Sequence, residues 1–426
     1  MDIFDQLLDA ISIPKVFKIR QHFDKPILLN IEQEFRDKLR QRNVLDQIKP
    51  GWRVAIAVGS RGISNQPLLV KLLAQELKHC GALPFIVPAM GSHGGATAEG
   101  QRAMLLEMGF AEDVVGAPIR STMEVVEVGT TASGLPVSID QYAYKADAIV
   151  IINRIKPHVA FRGQYESGLL KMITIGLGKQ RGAEICHNLG PGSMAENIPA
   201  IARVALQKVN IAFAVALLEN AEHETCRIEV LPKDEIEQVE PELLEEARHL
   251  APRIQFEQLD VLIIDEIGKD ISGTGLDTNV VGRYHTAFAS GGPQITRIVV
   301  LNLTDKSHGN ANGLGLADFT TKRVFAKFDF AQTYPNALTS TVPLTVKIPM
   351  VLKYDRHAIQ AAIKTCNIRN LNDVRLVRIK NTISLSAIEV SESLIAEIKR
   401  HPNLEILSQP YELPFDEHGN LIIAQT

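Results

Sequence analysis

The fold is indicated by residues 53–88, RVAIAVGSRGISNQPLLVKLLAQELKHCGALPFIVP. Two short apolar runs, Arg53–Val58 and Pro84–Pro88, are rich in Val and Ile and bounded by Gly or Pro, which is typical of buried strands. Between them, the leucines of Pro67–Cys80 recur at helical spacing, and Gly81 follows where a helix often ends in a residue with positive φ. A strand, a helix and a strand joined by short connections predict a βαβ unit with a parallel sheet.

The same alternation continues along the chain. It predicts an α/β fold class, with two α/β domains, mainly parallel sheets and an active-site cleft between the domains. Further strands are expected at Asp147–Ile152, Ile211–Leu218, Asp260–Asp265, Arg297–Leu303, Val346–Lys353, Val374–Lys380 and Thr382–Val390. Further helices are expected at Ala195–Val209, Asp318–Phe330, Asp355–Cys366 and Ser391–Arg400.

The domain boundary is expected within Leu231–Asp260. This stretch carries three prolines and many acids, and apart from a helical segment at Pro241–Leu250 it offers few apolar residues to a core. Such a composition is typical of a connector. We therefore expect an N-terminal domain of residues 1–257 and a C-terminal domain of residues 258–396, with residues 397–426 packing back on the first domain.

Composition excludes several classes of protein. Of the 426 residues, 45% are hydrophobic and 22% are charged, as in ordinary globular chains. Lys+Arg 45 against Asp+Glu 49 leaves a net charge of −4, so no sequence-wide positive field would attract nucleic acid or anionic lipid. The longest apolar run, Ile211–Leu218, is far shorter than the ~20 residues that span a bilayer. We expect neither nucleic acid nor membrane as a partner.

The expected compartment is the cytoplasm. The cysteines are Cys80, Cys186, Cys226 and Cys366. Their wide separation, with no C-x-x-C pair, favours a reduced protein over a disulfide or zinc-ribbon framework. The amino terminus carries Asp2 and Asp5 and lacks a basic segment before an apolar one, so we do not expect a signal peptide.

Loops with polar side chains follow three predicted strands, and in open α/β sheets ligands bind beyond the strands' carboxyl ends. The first loop holds Arg61, whose guanidinium suits a carboxylate or phosphate, although a surface ion pair is the ordinary alternative. The second, Gly91–Thr97, holds His93 among glycines that allow close approach to a ligand. The third holds His158 after Pro157. The alternatives for these histidines are a solvated loop residue and a rigid exposed turn.

The next segment, Gly168–Lys179, is mostly apolar and contains Lys171. A lysine that loses hydration has a lowered pKa and becomes available for covalent attachment, whereas its commoner fate is to extend to the surface. Gly178-Lys179 suggests a phosphate-binding P-loop but fails that pattern, because Ile173 replaces the first glycine and Gln180 replaces Ser or Thr. Gly176 and Gly178 lack the third glycine of a dinucleotide fingerprint, so a nicotinamide oxidoreductase is disfavoured.

Three histidines, His93, His158 and His187, complete the set. None lies in an H-E-x-x-H pattern, which argues against a zinc hydrolase. Imidazole binds nickel, copper, iron and zinc alike, so the residues alone leave the identity of a metal open.

Together, Ser60-Arg61, Gly91–Gly94, Lys156–His158, Gly168–Lys171 and His187 resemble the lactate racemase family, whose members use a nickel-pincer nucleotide cofactor. The resemblance is clear from about Val54 to His187 and continues more weakly through Asp265–His285. It implies that Lys171 carries the pincer, with Gly168, Gly176 and Gly178 near the cofactor, that His187 ligates nickel, and that His93 and His158 are acid and base on opposite faces of the substrate. It further implies that Arg61 binds the substrate. The family also uses a lysine and a glutamine from its second domain, and the corresponding segment here offers Arg283 or His285 instead.

The resemblance thus implies an isomerase, a racemase or epimerase of a small-molecule 2-hydroxy acid. The family's lactate-specific aspartate is replaced by Gly59-Ser60, so the sequence leaves the side chain of the substrate open. Cofactor-synthesis enzymes would be its partners, and a homo-oligomer is compatible with the sequence. A protein that delivers the nickel-pincer nucleotide without turnover is the alternative, but it would not need both His93 and His158.

Overall fold

The computed structural model describes residues 3–60, 62–188 and 190–422. They divide into two units. Residues 24–251 form the N-terminal unit, and residues up to 23 join those from 252 onward in the C-terminal unit. No helix among the described residues has the length and apolar character needed to cross a membrane.

The strands, in chain order, are β1 (Val16–Gln21), β2 (Arg53–Val58), β3 (Leu83–Pro88), β4 (Val125–Thr130), β5 (Pro136–Asp140), β6 (Ala148–Arg154), β7 (Ile211–Glu219), β8 (Thr225–Pro232), β9 (Gln258–Ile264), β10 (Gln294–Val300), β11 (Phe319–Thr321), β12 (Met350–Leu352), β13 (Leu376–Ile379), β14 (Ala387–Ser391) and β15 (Leu404–Ile406). The α-helices are α1 (Ile3–Leu8), α2 (Ile31–Gln41), α3 (Gln66–His79), α4 (Ala98–Glu107), α5 (Glu112–Val115), α6 (Gln141–Tyr144), α7 (Leu169–Lys171), α8 (Lys179–His187), α9 (Met194–Lys208), α10 (Ile236–Leu250), α11 (Thr278–Val281), α12 (Lys322–Lys327), α13 (Phe330–Ser340), α14 (Asp355–Thr365) and α15 (Ile395–Ile398). A π-helical turn, Met172–Gly176, continues α7.

The N-terminal unit is built on a sheet with strand order β3-β2-β6-β7-β8. The pairs β2–β3, β2–β6 and β6–β7 are parallel, and β8 runs antiparallel to β7. Alternate residues of β2 enter the cores on opposite faces of the sheet, which is why its sequence is apolar without interruption. The predicted βαβ unit is confirmed, with α3 as its helix. Since β3 and β6 flank β2, the strand order reverses at β2, and the carboxyl ends of β2 and β6 border a ligand-binding crevice in sheets of this kind.

The C-terminal unit contains a sheet of order β12-β11-β10-β9-β13-β14-β1-β15. Its pairs from β12 to β13 are parallel, whereas β13–β14, β14–β1 and β1–β15 are antiparallel. The predicted α/β class with mainly parallel sheets is confirmed. The expected domain bounds differ from the structure at both ends: β1 and β15 both pair within this sheet, so the described residues 3–23 and 397–422 belong to the C-terminal unit.

The expected connector, Leu231–Asp260, is largely part of the N-terminal unit. Ile236–Leu250 forms α10, and its residues Leu243, Leu244 and Ala247 are buried in the core. The prediction of a connector was wrong because these apolar residues lie three or four positions apart and are separated by acidic residues, which is the pattern of an amphipathic helix. The helix expected at Asp318–Phe330 also begins differently, since Phe319–Thr321 is the short strand β11.

Candidate active site in the N-terminal unit

The ends of β2 and β6 meet the segment that carries Lys171. A Cβ placed on Gly59, after β2, would lie 3.5 Å from Asn153 Oδ1 and 3.5 Å from Met172 Cε. The Asn153 side chain, near the end of β6, donates to the carbonyl of Gly168 at 2.9 Å. The backbones of Lys156 and Ser167 also bond to each other, at 2.8 and 3.2 Å. The structure therefore brings two of the three predicted loops against the Gly168–Lys171 segment.

The loop after β3 presents an exposed His93. Gly91 and Gly94 have φ of +59° and +66°, a conformation that glycine adopts without strain. A Cβ on Gly94 would approach the backbone of Gln101 to 2.6 Å, so the loop folds tightly onto the start of α4. The backbone N–H of Gly91 donates to the Gly176 carbonyl at 3.2 Å, which joins this third loop to the Lys171 segment.

The tautomer of His93 follows from its hydrogen bond. Its Nδ1 lies 2.7 Å from the carbonyl oxygen of Met90, which can only accept. The neutral ring therefore carries its proton on Nδ1 and its lone pair on Nε2. Nε2 is the nitrogen suited to accept a proton.

His158 has the reverse arrangement. The backbone N–H of Ala160 donates to His158 Nδ1 at 3.1 Å, so Nδ1 holds the lone pair and the neutral ring carries its proton on Nε2. The ring packs against Phe161, with ring centroids 4.4 Å apart. Nε2–H is thus the proton that His158 can donate.

A buried carboxylate shapes the His158 loop. Glu166 is fully buried and accepts the backbone N–H of His158 at 2.6 Å and that of Gly163 at 3.1 Å. Arg248, on α10, donates to the same carboxylate at 2.6 Å and balances its charge. The sequence interpretation missed this role of Glu166, because it depends on a partner 82 residues away.

Lys171 ends the short helix α7, whose first turn is capped from α10. Glu240 is fully buried, and its carboxylate accepts the backbone N–H of Leu170 at 3.0 Å. Burial raises the pKa of Glu240 to about 8, against the lowering effect of the Leu170 and Leu169 amides. A Cβ on Gly168 would overlap this carboxylate, so Gly168 is required for the cap. The sequence signal for Glu240 was an acid on the apolar face of an amphipathic helix.

His187 lies at the end of α8. Its Nδ1 donates to the carbonyl of Ala183 at 2.6 Å, which leaves the lone pair on Nε2. Burial lowers the pKa of His187, the Ala183 bond opposes this, and the charge of Lys171 lowers it further. The neutral imidazole, which burial favours, is the form that binds a metal.

Gly176 and Gly178 pack against the protein's own backbone. A Cβ on Gly176 would lie 2.7 Å from the Ala89 carbonyl oxygen, and one on Gly178 would overlap the carbonyl of Thr174. These contacts alone require glycine at both positions. A role of the two glycines toward a cofactor stays a prediction.

The predicted substrate residues differ in what surrounds them. Arg61 lies outside the described residues. In the C-terminal unit, Arg283 donates to the carboxylate of Asp318 at 2.6 Å and to three carbonyls, so its guanidinium is engaged within its own unit. His285 is partly buried, its Nδ1 has no hydrogen-bond partner, and burial lowers its pKa to about 4. Of the two alternatives, His285 is the one with a ring nitrogen that has no hydrogen-bond partner, and this nitrogen is buried.

Comparison with known proteins supports the family resemblance of this region. Residues 21–197 match the family described as the lactate racemase N-terminal domain. Among solved structures, the chain is similar to the lactate racemase apoprotein from Thermoanaerobacterium thermosaccharolyticum, with 16% identity and a TM-score of 0.52, covering 87% of this chain and 99% of that one. No curated protein matches the sequence. The resemblance inferred from the motifs is confirmed, and the chain shares the fold of that apoprotein.

Proposed function

We propose that this chain, whose residues 21–197 carry the lactate racemase N-terminal domain, is a racemase or epimerase of a 2-hydroxy acid that uses a nickel-pincer nucleotide. The observation that carries the proposal is the complementary tautomers of His93 and His158, one with its lone pair on Nε2 and the other with its proton there. Racemisation at a carbinol carbon needs one group to remove the hydroxyl proton and another to return a proton.

The residues present fit the cofactor. His187 offers a neutral nitrogen, Nε2, whose ring is fixed by the Ala183 carbonyl, as metal-binding histidines commonly are. Lys171, at the end of α7, would hold the pincer. When bound, the nickel-pincer nucleotide would accept hydride from the substrate carbon and return it.

The protein side chains would handle the proton and the carboxylate. We assign His93 Nε2 as acceptor of the 2-hydroxyl proton and His158, when it holds a second proton as an imidazolium, as donor from Nε2 to the same oxygen on the opposite face of the planar 2-oxo acid. Arg61 would hold the substrate carboxylate through two parallel hydrogen bonds. From the C-terminal unit, His285 is the proposed further substrate contact, and Arg283 is the weaker candidate.

The cellular setting follows from the cofactor. We propose that the protein acts in the cytoplasm and receives its cofactor from the enzymes that synthesise it. The separately spaced cysteines agree with a reducing compartment.

The test is to produce the protein together with the cofactor-synthesis enzymes. Native mass spectrometry and metal analysis should show one nickel and one pincer nucleotide per chain. A panel of enantiopure 2-hydroxy acids should then contain one that the protein interconverts. The control is the variant with both His93→Ala and His158→Ala, which should keep the nickel and lose interconversion. A loaded protein that interconverts no member of the panel would favour the delivery protein instead.

A further inference from the structure

Lys179, the residue of the failed P-loop pattern, is fully buried in the N-terminal unit. Its Nζ donates to the carbonyl of Pro88 at 2.7 Å and to Gln101 Oε1 at 2.6 Å. A third oxygen, Asp140 Oδ2, lies 3.3 Å away. Three oxygens around one nitrogen match the three N–H donors of an ammonium.

Asp140 balances the charge of this lysine. Its Oδ1 accepts the backbone N–H groups of Tyr142 and Ala143 at 2.8 and 3.0 Å, which fixes the carboxylate at the start of α6. Burial lowers the pKa of Lys179 and raises the pKa of Asp140, and the attraction between the two charges opposes both effects. An unpaired charge at this depth would be costly, so the pair holds its geometry as a unit.

Gln101 connects Lys179 to the His93 loop. Because an ammonium can only donate, Gln101 must turn its Oε1 toward Lys179, and its Nε2 then faces the other way. That Nε2 donates to the carbonyl of Gly91 at 2.8 Å and to the carbonyl of His93 at 3.2 Å. The Lys179 ammonium therefore determines that the Nε2 end of the Gln101 amide faces the His93 loop.

The backbone of Lys179 also has an unusual conformation. It opens α8, the helix that ends at His187, with φ of +56°, which is unusual for a residue other than glycine. The preceding Gly178 lies so close to Thr174 that a side chain there would overlap its carbonyl. One buried residue thus reaches the loop of the proposed base through Gln101 and begins the helix of the proposed nickel ligand.

We infer that Lys179 is a positioning residue of the site: held by Asp140, it orients the Gln101 amide and thereby fixes the backbone and ring of His93. The inference rests on the proposed function for the role of His93. Its test measures the His93 loop directly in the cofactor-free protein, so it can fail or succeed whether or not racemase activity is found.

The experiment is NMR on ¹⁵N-labelled protein. Long-range ¹H–¹⁵N spectra report the tautomer of each histidine, and hydrogen exchange reports the Ala96 and Thr97 amides, which bond within the loop. In Lys179→Met, we expect His93 to lose its single Nδ1–H tautomer and the two amides to exchange at least tenfold faster. Gln101→Glu keeps an oxygen for Lys179 but replaces the donor to the two carbonyls, and we expect the same changes.

The matched control is Arg378→Met, which removes a buried cation paired with Asp265 at 2.8 Å in the C-terminal unit. It should lower stability and leave the His93 signals unchanged. The inference is overturned if Gln101→Glu leaves tautomer and exchange as in the wild type, or if Arg378→Met changes them equally. Gln101→Glu alone decides the outcome if Lys179→Met does not fold.

Discussion

His93 and His158 are fixed in opposite tautomers by the main chain that surrounds them. Nδ1 of His93 donates to a carbonyl, whereas Nδ1 of His158 accepts from an amide. A carbonyl cannot donate and an amide N–H cannot accept, so neither ring can adopt the other's tautomer without breaking its bond. The main chain thus gives two chemically identical neutral side chains different groups at Nε2, a lone pair in His93 and a proton in His158.

The first prediction concerns these two roles. Each histidine should be the base for one enantiomer, His158 after its ring changes tautomer and gives up the bond from the Ala160 amide. Either single alanine variant should therefore lose interconversion in both directions. In a single turnover, His93→Ala should still form one equivalent of 2-oxo acid from one enantiomer, and His158→Ala only from the other. The affected half-reaction should slow by about 10²–10⁴, which rapid mixing resolves. Equal oxidation of the same enantiomer by both variants would contradict the two-face arrangement.

The second prediction concerns the metal ligand. His187→Ala should abolish nickel in protein produced with the cofactor-synthesis enzymes, measured as metal per chain. His249 provides the control, because its Nδ1 makes the same bond to the carbonyl four residues earlier, at 2.8 Å, from an exposed position on α10. His249→Ala should retain full nickel. Full occupancy in His187→Ala would refute the ligand assignment.

The third prediction concerns the carboxylate behind His158. Glu166→Gln turns an amide N–H₂ toward groups that can only donate, so the loop should loosen and catalytic efficiency should fall at least tenfold, a loss of about 1.4 kcal/mol or more. The control is Glu245→Gln, because Glu245 pairs with the same Arg248 but is exposed. Exposed ion pairs contribute about 0–1 kcal/mol, so that variant should keep its efficiency. A similar loss in both would mean that Arg248, and not the loop, explains the effect.

The fourth prediction is a pH dependence of stability. The carboxyl of Glu240 has its pKa raised from 4.5 to about 8 in the folded chain, so between these values the folded state binds more protons than the unfolded state. Its contribution to stability is therefore present at low pH and is lost as pH rises toward 8, by up to about 1.4 kcal/mol per pH unit.

Urea unfolding at several pH values checks this. Glu240→Gln keeps an oxygen for the Leu170 amide without the titration, so its free energy of unfolding should fall less than that of the wild type as pH rises. Glu242 lies on the exposed face of the same helix, so the free energy of unfolding of Glu242→Gln should change with pH as that of the wild type does. Parallel curves for all three proteins would disprove the prediction.

The sequence singled out those residues of the candidate site whose signals are local. Lys171 stood out because a lysine interrupts an apolar run, and His187 stood out through the resemblance to the lactate racemase family. Glu240 and Gln101 did not, since their roles depend on hydrogen bonds to Leu170 and to Gly91 that only the folded chain creates. The same holds for β1: nothing near residue 16 indicates that its partner is β14.

That pairing bears on how the molecule is assembled during synthesis. β1 takes its place between β14 and β15, and Val16 and Ser391 are partners separated by roughly 370 residues, a very non-local contact. The sheet of residues 24–251 contains no strand from outside that range. It can therefore form before β14 and β15 are available to pair with β1. A fragment of residues 24–251 should accordingly unfold cooperatively in circular dichroism, whereas residues 252–426 without β1 should not. β1, which is synthesised before the other strands of its sheet, is therefore among the last of them to reach its final place.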